Sequence, residues 1–350
     1  MKKTRGIIVL LSGIVLFFCL QGCFKEIAVT KKNLPDLLWP PPPEVPRIHF
    51  VNALSSPEDI NIQESLSKKI LNFIKGRKET PMVNPYGVLL DSDHRLYVVD
   101  SFCKCVHVFD EEQNDYYTFP NGEVSLSFPI GVAADMDGNV YVTDSASGVV
   151  RVFSDHGKTY VKDIGKNFLE RPTGVAVNRK TGELLVVDTV SSQIIRYDIQ
   201  DHAFKGTMGK TGTEPGMFNF PTNIFVSRSG NIFVTDSLNF RIQIFTPEGI
   251  FIHSFGKAGD GPGYFSRPRG VAVDSGGNIY VVDALFDNVQ IFNEGGDLLM
   301  AFGGPGNSYG EFWLPSGIYI DSDDKIYVAD SYNNRIQVFQ YLKEERYTSP

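Results

Sequence analysis

Three features of the 350-residue sequence predict an all-β fold, a single six-bladed β-propeller with four short strands per blade. A unit recurs six times, the steps between its Asp residues are 44, 44, 48, 47 and 47 residues, and each copy alternates apolar with other residues at period two. The copies open at Pro85, Pro129, Pro172, Pro221, Pro268 and Pro315 and reach Asp100, Asp144, Asp188, Asp236, Asp283 and Asp330. From Asp to the aromatic residue that closes the next strand the interval is 9 in all six, at Phe109, Phe153, Tyr197, Phe245, Phe292 and Phe339. Turn chemistry such as Asp137-Gly138-Asn139 and Gly276-Gly277-Asn278 marks hairpins between the strands. The period fits one propeller blade, and the polar caps a solenoid needs are not seen.

Along the chain, residues 1–22 read as a lipoprotein signal peptide. Lys2, Lys3 and Arg5 precede an apolar run from Ile7 to Leu20, too short for the ~20 residues of a spanning helix. Leu20-Gln21-Gly22-Cys23 resembles the bacterial lipobox, which implies cleavage before Cys23 and its modification by palmitate-type acyl chains. Phe24 in place of Asp resembles the outer-membrane sorting pattern, so the expected location is the bacterial cell envelope, lipid-anchored at the outer membrane. Residues 23–46, with Pro35, Pro40 to Pro43 and Pro46, are expected to form an extended tether. The propeller is expected over 47–342. Within it, residues 47–54 read as a lone strand that completes blade six, because the sixth copy ends after three strands. Residues 64–75 place Leu66, Ile70, Phe73 and Ile74 on one helical face, a short helix before blade one, and the repeats run over 83–342. Residues 343–350 form a C-terminal tail.

Copies four to six carry Gly216-Met-Phe-Asn-Phe-Pro221, Gly263-Tyr-Phe-Ser-Arg-Pro268 and Asp330-Ser-Tyr-Asn-Asn-Arg-Ile-Gln-Val-Phe339. These segments resemble the NHL-repeat six-bladed propellers, over roughly Val83 to Phe339. The first and third copies depart from that pattern, with Cys105 and Gln193 where the family prefers Arg. Lactonase and lyase relatives on this fold hold a metal at the axial channel. The residues entering the inner strands here, Tyr86, Ile130, Thr173, Thr222 with Asn223, Arg269 and Ser316, include no carboxylate. The six histidines read as lying in outer strands or in turns away from the channel mouth. No catalytic residues, resident metal or cofactor are therefore expected.

A formal net charge of −8, made more negative by losing Lys2, Lys3 and Arg5 with the signal, argues against nucleic acid as a partner. The recurring Asp followed by Ser or Thr reads as turn chemistry, because it returns in every blade. Asp135-Met-Asp137-Gly138 and Asp321-Ser-Asp323 imitate calcium loops, but Ala146 and Tyr332 stand where the liganding Glu belongs. Cys103-Lys-Cys105-Val-His107 leaves open a disulfide, a soft-metal or haem-edge contact, or two unrelated thiols, with the disulfide preferred. The candidate binding face bears the loops after each Asp and the blade connections, with Phe102, Arg171, Leu238, Phe240, Arg267, Arg269, Leu285, Phe286, Trp313 and Tyr332. Aromatic and Arg side chains are the types that dominate binding hot spots. The expected partners are an envelope protein and, through the lipid, the membrane, with the propeller itself a monomer. Binding of a small molecule or glycan in the axial channel is the alternative, and a lactonase- or lyase-like enzyme a third.

Overall fold

Six antiparallel sheets are arranged as blades whose inner strands line a common axis. The computed structural model describes residues 33–60, 62, 80–122 and 124–343. The signal segment, Cys23 and the helix expected over 64–75 lie outside the described residues. Blades one to five each contain four strands in the order inner to outer, as in Pro85–Leu90, Arg95–Asp100, Cys105–Asp110 and Asp115–Phe119 of blade one. In these blades the opening Pro pairs with the repeat Asp, Pro85 with Asp100 and Pro221 with Asp236, and the register then slips. Proline suits the first residue of a strand because it has no N–H to give to the ladder.

Blade six is closed from the other end of the chain. Ile48–Leu54 pairs antiparallel with Arg335–Tyr341, the third strand of that blade, so the N-terminal strand covers what would be a bare edge. Its Phe50 packs against Tyr309 and Phe339, with ring centroids at 5.3 and 5.7 Å. The Pro-rich tether is shorter than its composition implies. Leu38–Trp39 adds a fifth strand to blade six, and the Trp39 ring lies 6.0 Å from Phe302 and 5.8 Å from Phe339. An indole buries enough apolar area to outweigh the extended preference of the prolines around it.

Each core lies between two neighbouring blades. Tyr97, Val99 and Phe119 of blade one meet Val132, Val142 and Phe153 of blade two, and the seam between blades six and one is filled by Leu54, Ile62, Met82, Val98, Ile336 and Val338. At the axis the inner strands approach so closely that a side chain will not fit. A Cβ on Gly87 would sit 2.5 Å from the Ile130 carbonyl oxygen, one on Gly270 2.7 Å from that of Ser316, and Gly131 and Gly317 are more tightly met by Thr173 and Tyr86. That contact explains the Gly two residues after the Pro in five of the six copies; in blade four the position is Asn223.

Candidate functional site

The repeat Asp organises the face that bears the turns between second and third strands. Asp100 accepts the N–H groups of Val83 at 2.6 Å and Asn84 at 3.1 Å from the incoming connection, and those of Phe102 and Cys103 at 2.8 and 3.0 Å from its own turn. Burial pushes this carboxyl up, but the contacts with His107 and these backbone donors outweigh burial and hold it at about 2. Asp144, Asp188 and Asp283 clamp their connections in the same way, through Ser127 and Phe128, Glu170 and Arg171, and Ser266 and Arg267. The hydroxyl that follows reaches across to the next blade. Thr189 donates to the Pro221 carbonyl at 2.7 Å, Ser237 to Pro268 at 3.0 Å, and Ser331 to Pro85 at 2.7 Å. Ala284 lacks that bond because it lacks the hydroxyl.

With the Asp and the hydroxyl occupied, the next residue points outward. That position holds Phe102, Ala146, Val190, Leu238, Leu285 and Tyr332, every one apolar or aromatic. Phe102 is 71% exposed, Val190 42%, Leu238 50%, Leu285 54% and Tyr332 56%. Trp313, also exposed, lies 5.6 Å from the Tyr332 ring, and exposed Phe128 and Phe220 stand one residue before the opening Pro of blades two and four. The same position holds Arg171 and Arg267, both exposed and without an ion pair among the described residues. Exposed apolar side chains from five blades and two guanidinium groups without an ion pair among the described residues thus share the face of the Asp turns.

Three of the residues expected on this face are placed differently. Phe240 is half-buried and packs against the core between blades four and five. Arg269 is half-buried with its guanidinium 5.2 Å above the Tyr86 ring, and Phe286 is half-buried. Ala146, Val190, Phe128 and Phe220 were not among the residues expected there. A fixed offset, two after the Asp or one before the Pro, identifies all four.

Cys103 and Cys105 are joined in a disulfide with their Cα atoms 5.3 Å apart. Buried His107 lies beneath it, with Nε2 3.6 Å from Cys105 Sγ and 3.7 Å from Asp100 Oδ2, and Nδ1 2.8 Å from the Tyr116 hydroxyl. Cys103, Cys105 and His107 form one of two groups of three potential metal ligands among the described residues. The bonded sulfurs have no thiolate to offer while oxidised. Asp91, Asp93 and His156 form the other, and the Arg95 guanidinium, 2.7 Å from Asp93 and 3.2 Å from His156 Nδ1, already supplies the positive charge there. The calcium-like segments are hairpin turns: Asp135 accepts from the N–H groups of Asp137 and Asn139, and Asp321 from those of Asp323 and Lys325.

The axial cavity has a volume of about 1170 Å³. His94, in the turn before Arg95–Asp100, and His253, on the outer strand Phe251–Phe255 of blade four, both line it, where the sequence reading kept the histidines away from the channel mouth. His94 is paired with Glu112 at 3.5 Å, and His253 meets the Gly295 carbonyl at 3.0 Å. The lining aspartates Asp91, Asp274 and Asp321 hold their own turns and accept from Tyr97, Tyr280 and Tyr327, and Glu294 is the fourth lining carboxylate. Arg179, Arg228 and Tyr319 also line it.

Comparison with known proteins matches residues 312–339 to the family described as NHL repeat and residues 217–286 to one described as 6-bladed beta-propeller. A 52-residue stretch is 44% identical to the E3 ubiquitin-protein ligase TRIM32 of Homo sapiens, covering 15% of this chain and 8% of that protein. Among solved structures, an auxiliary nutrient binding protein from Bacteroides thetaiotaomicron is similar at a TM-score of 0.61 and 15% identity, over 76% of this chain and 71% of the other. Virginiamycin B lyase from Staphylococcus aureus gives 0.55 and 15% over 74% and 96%, and a gluconolactonase from Xanthomonas campestris 0.57 and 14% over 74% and 86%. Such identities establish a shared fold and leave function to the site. The chain is a six-bladed β-propeller that carries NHL-repeat sequence.

Proposed function

We propose that this chain is a non-catalytic binding scaffold that recruits or orients a protein partner on the face of the Asp turns, held at the bacterial outer membrane by acyl chains on Cys23. The observation that carries this reading is the ring of exposed apolar residues, Phe102, Val190, Leu238, Leu285 and Tyr332, one from each of five blades at a single repeat position. Apolar side chains on rigid turns, set beside unpaired Arg171 and Arg267, are suited to an interface with a few strong anchors. Lipid tethering raises the effective concentration against a partner in the same membrane layer, so a modest interface suffices. Neither group of potential ligands offers an open metal position, and the three cavity aspartates are committed to their turns, which favours binding over catalysis.

Crosslinking in cells followed by mass spectrometry identifies the partner. Replacing Arg267 by Glu together with Phe102 and Tyr332 by Ala is then expected to abolish its capture while leaving the melting temperature within about 2 °C, since all three side chains are exposed. Capture that survives this set and fails with Asp137→Lys and Asp323→Lys on the opposite face would reverse the assignment. Cys23→Ala is expected to release the protein from membranes and to stop incorporation of labelled palmitate. A second reading, a small anionic ligand in the axial cavity, rests on Arg179 and Arg228 at its hairpin end.

A further inference from the structure

Blade one departs from the other blades at three positions together. Three, five and seven residues after its repeat Asp stand Cys103, Cys105 and His107, and none of these positions holds Cys or His in any other blade. The disulfide accounts for the two cysteines. It does not account for the histidine, because Gln243, Gln290 and Gln337 fill that position in blades four, five and six.

The hydrogen bonds around the ring fix what it presents. His107 Nδ1 lies 2.8 Å from the Tyr116 hydroxyl, which donates its own proton to the Thr80 carbonyl at 3.2 Å, so Nδ1–H is the donor to Tyr116. An imidazole held through its far N–H in this way is how metal-bound histidines are oriented. Nε2 then faces Cys105 Sγ at 3.6 Å and Cys103 Sγ at 3.8 Å. A tetrahedral ion bonded to sulfur at ~2.3 Å and to nitrogen at ~2.1 Å sets those ligand atoms ~3.6 Å apart, so the spacing from nitrogen to both sulfurs is already in place. Only the sulfurs have to part from each other. The buried Asp100 carboxylate, 3.7 Å from Nε2, adds negative charge beside the three atoms and favours a divalent ion over a monovalent one. Cys103 is half-buried between exposed Phe102 and Lys104 and gives the ion its way in, while Cys105 and His107 are buried beneath it, as suits a closed metal site.

We propose that, once the disulfide is reduced, Cys103 Sγ, Cys105 Sγ and His107 Nε2 bind a divalent thiophilic cation of the Zn²⁺ type, with water as the fourth ligand. The reductant is a dithiol: its two S–H bonds are replaced by one S–S bond, the Cys103–Cys105 bond breaks, and each cysteine sulfur takes one of its protons. The cation then displaces both protons to solvent. The disulfide is thus the closed form of a redox-gated metal site, and the proposal depends neither on a protein partner nor on the acylation of Cys23.

Cobalt substitution tests it on the purified full-length chain in detergent, reduced with a phosphine so that no dithiol competes for the metal. In the reduced chain, one equivalent of Co²⁺ is expected to give a thiolate-to-cobalt charge-transfer band and the intense visible bands of a tetrahedral site. Zn²⁺ should displace it and Mg²⁺, which takes oxygen ligands, should not. Zn²⁺ should also raise the melting temperature of the reduced chain, because it binds the folded site. The oxidised chain should bind neither Co²⁺ nor Zn²⁺. His107→Gln should weaken Zn²⁺ roughly tenfold or more, since changing even an outer partner of a ligand costs that much. Cys103→Asn with Cys105→Arg should remove the site while leaving Cys19 and Cys23 in the chain. Both variants take residues that other blades accommodate at these positions, so the fold is expected to hold. The proposal is overturned by the absence of a charge-transfer band in the reduced chain, or by an equal band in the oxidised chain or the double variant. Displacement by Mg²⁺, unchanged affinity in His107→Gln, or a melting temperature that Zn²⁺ leaves unmoved would overturn it as well.

Discussion

Blade one and blade six place the same buried carboxylate at the same repeat position and brace it by different chemistry. In blade six, Asp330 receives Asn333, Arg335 and Gln337, which stand three, five and seven residues further on, with the Arg335 guanidinium at 2.7 Å. Blade four repeats this with Asn239, Arg241 and Gln243. In blade one the same three positions are Cys103, Cys105 and His107. A disulfide occupies the positions that Asn and Arg hold elsewhere, while His107 Nε2 approaches the carboxylate to 3.7 Å. Blade two shifts its Arg two residues along, so that Arg151 reaches Asp144 at 3.3 Å, and blade three supplies no Arg to Asp188. The constant element is thus the carboxylate that clamps two stretches of backbone, and the counter-group is interchangeable.

Breaking the brace in blade six should have the largest effect. Asp330→Ala strands the buried Arg335 guanidinium and the Trp313 N–H, and a loss of about 3–5 kcal/mol is expected by urea denaturation. Phe50→Ala in the closing strand follows at about 3 kcal/mol, since Phe50 is buried between Tyr309 and Phe339. An unchanged melt in that variant would show that blade six does not depend on its N-terminal strand. Gly131→Ala, which drives a Cβ into the Thr173 carbonyl oxygen, should cost about 1–3 kcal/mol.

Blade one should respond to acid. The folded-state pKa of Asp100, about 2, lies below the ordinary carboxylate value, so its contribution is fully present above about pH 4 and is lost as pH falls toward 2. Asp100→Asn is expected to flatten that part of the acid-denaturation curve; an identical curve would mean that the carboxylate carries none of the acid sensitivity. The smallest change is expected from reducing the disulfide. The loop between Cys103 and Cys105 is so short that its closure constrains the unfolded chain by only about 1.5 kcal/mol. A larger fall would mean that the bond holds the Asp100 turn in place.

Much of this architecture was legible in the linear sequence. The spacing from Pro to Asp to aromatic residue marks the inner strand, the second and the third, and the missing fourth strand of the last copy pointed to residues 47–54. Site residues were read less well. Phe102, Leu238, Leu285 and Tyr332 lie where their repeat position places them, but Phe240, two residues further along its turn than Leu238, packs against the core between blades four and five. Trp39 sits within a proline-rich run and is held by aromatic rings more than 250 residues away in sequence, a contact no local pattern reveals.

By itself the sequence determined the number of blades, the spacing of their strands and the recurring Asp turn. These follow from strand periodicity and turn chemistry, which act over a few residues and repeat. Only the tertiary structure decided which carbonyl of the next blade each turn hydroxyl reaches, which histidines line the axial cavity, and that Trp39 packs on Phe302 and Phe339. The physical reason is that each of these depends on other blades, whose residues lie far off in the chain, so that local periodicity holds no record of them.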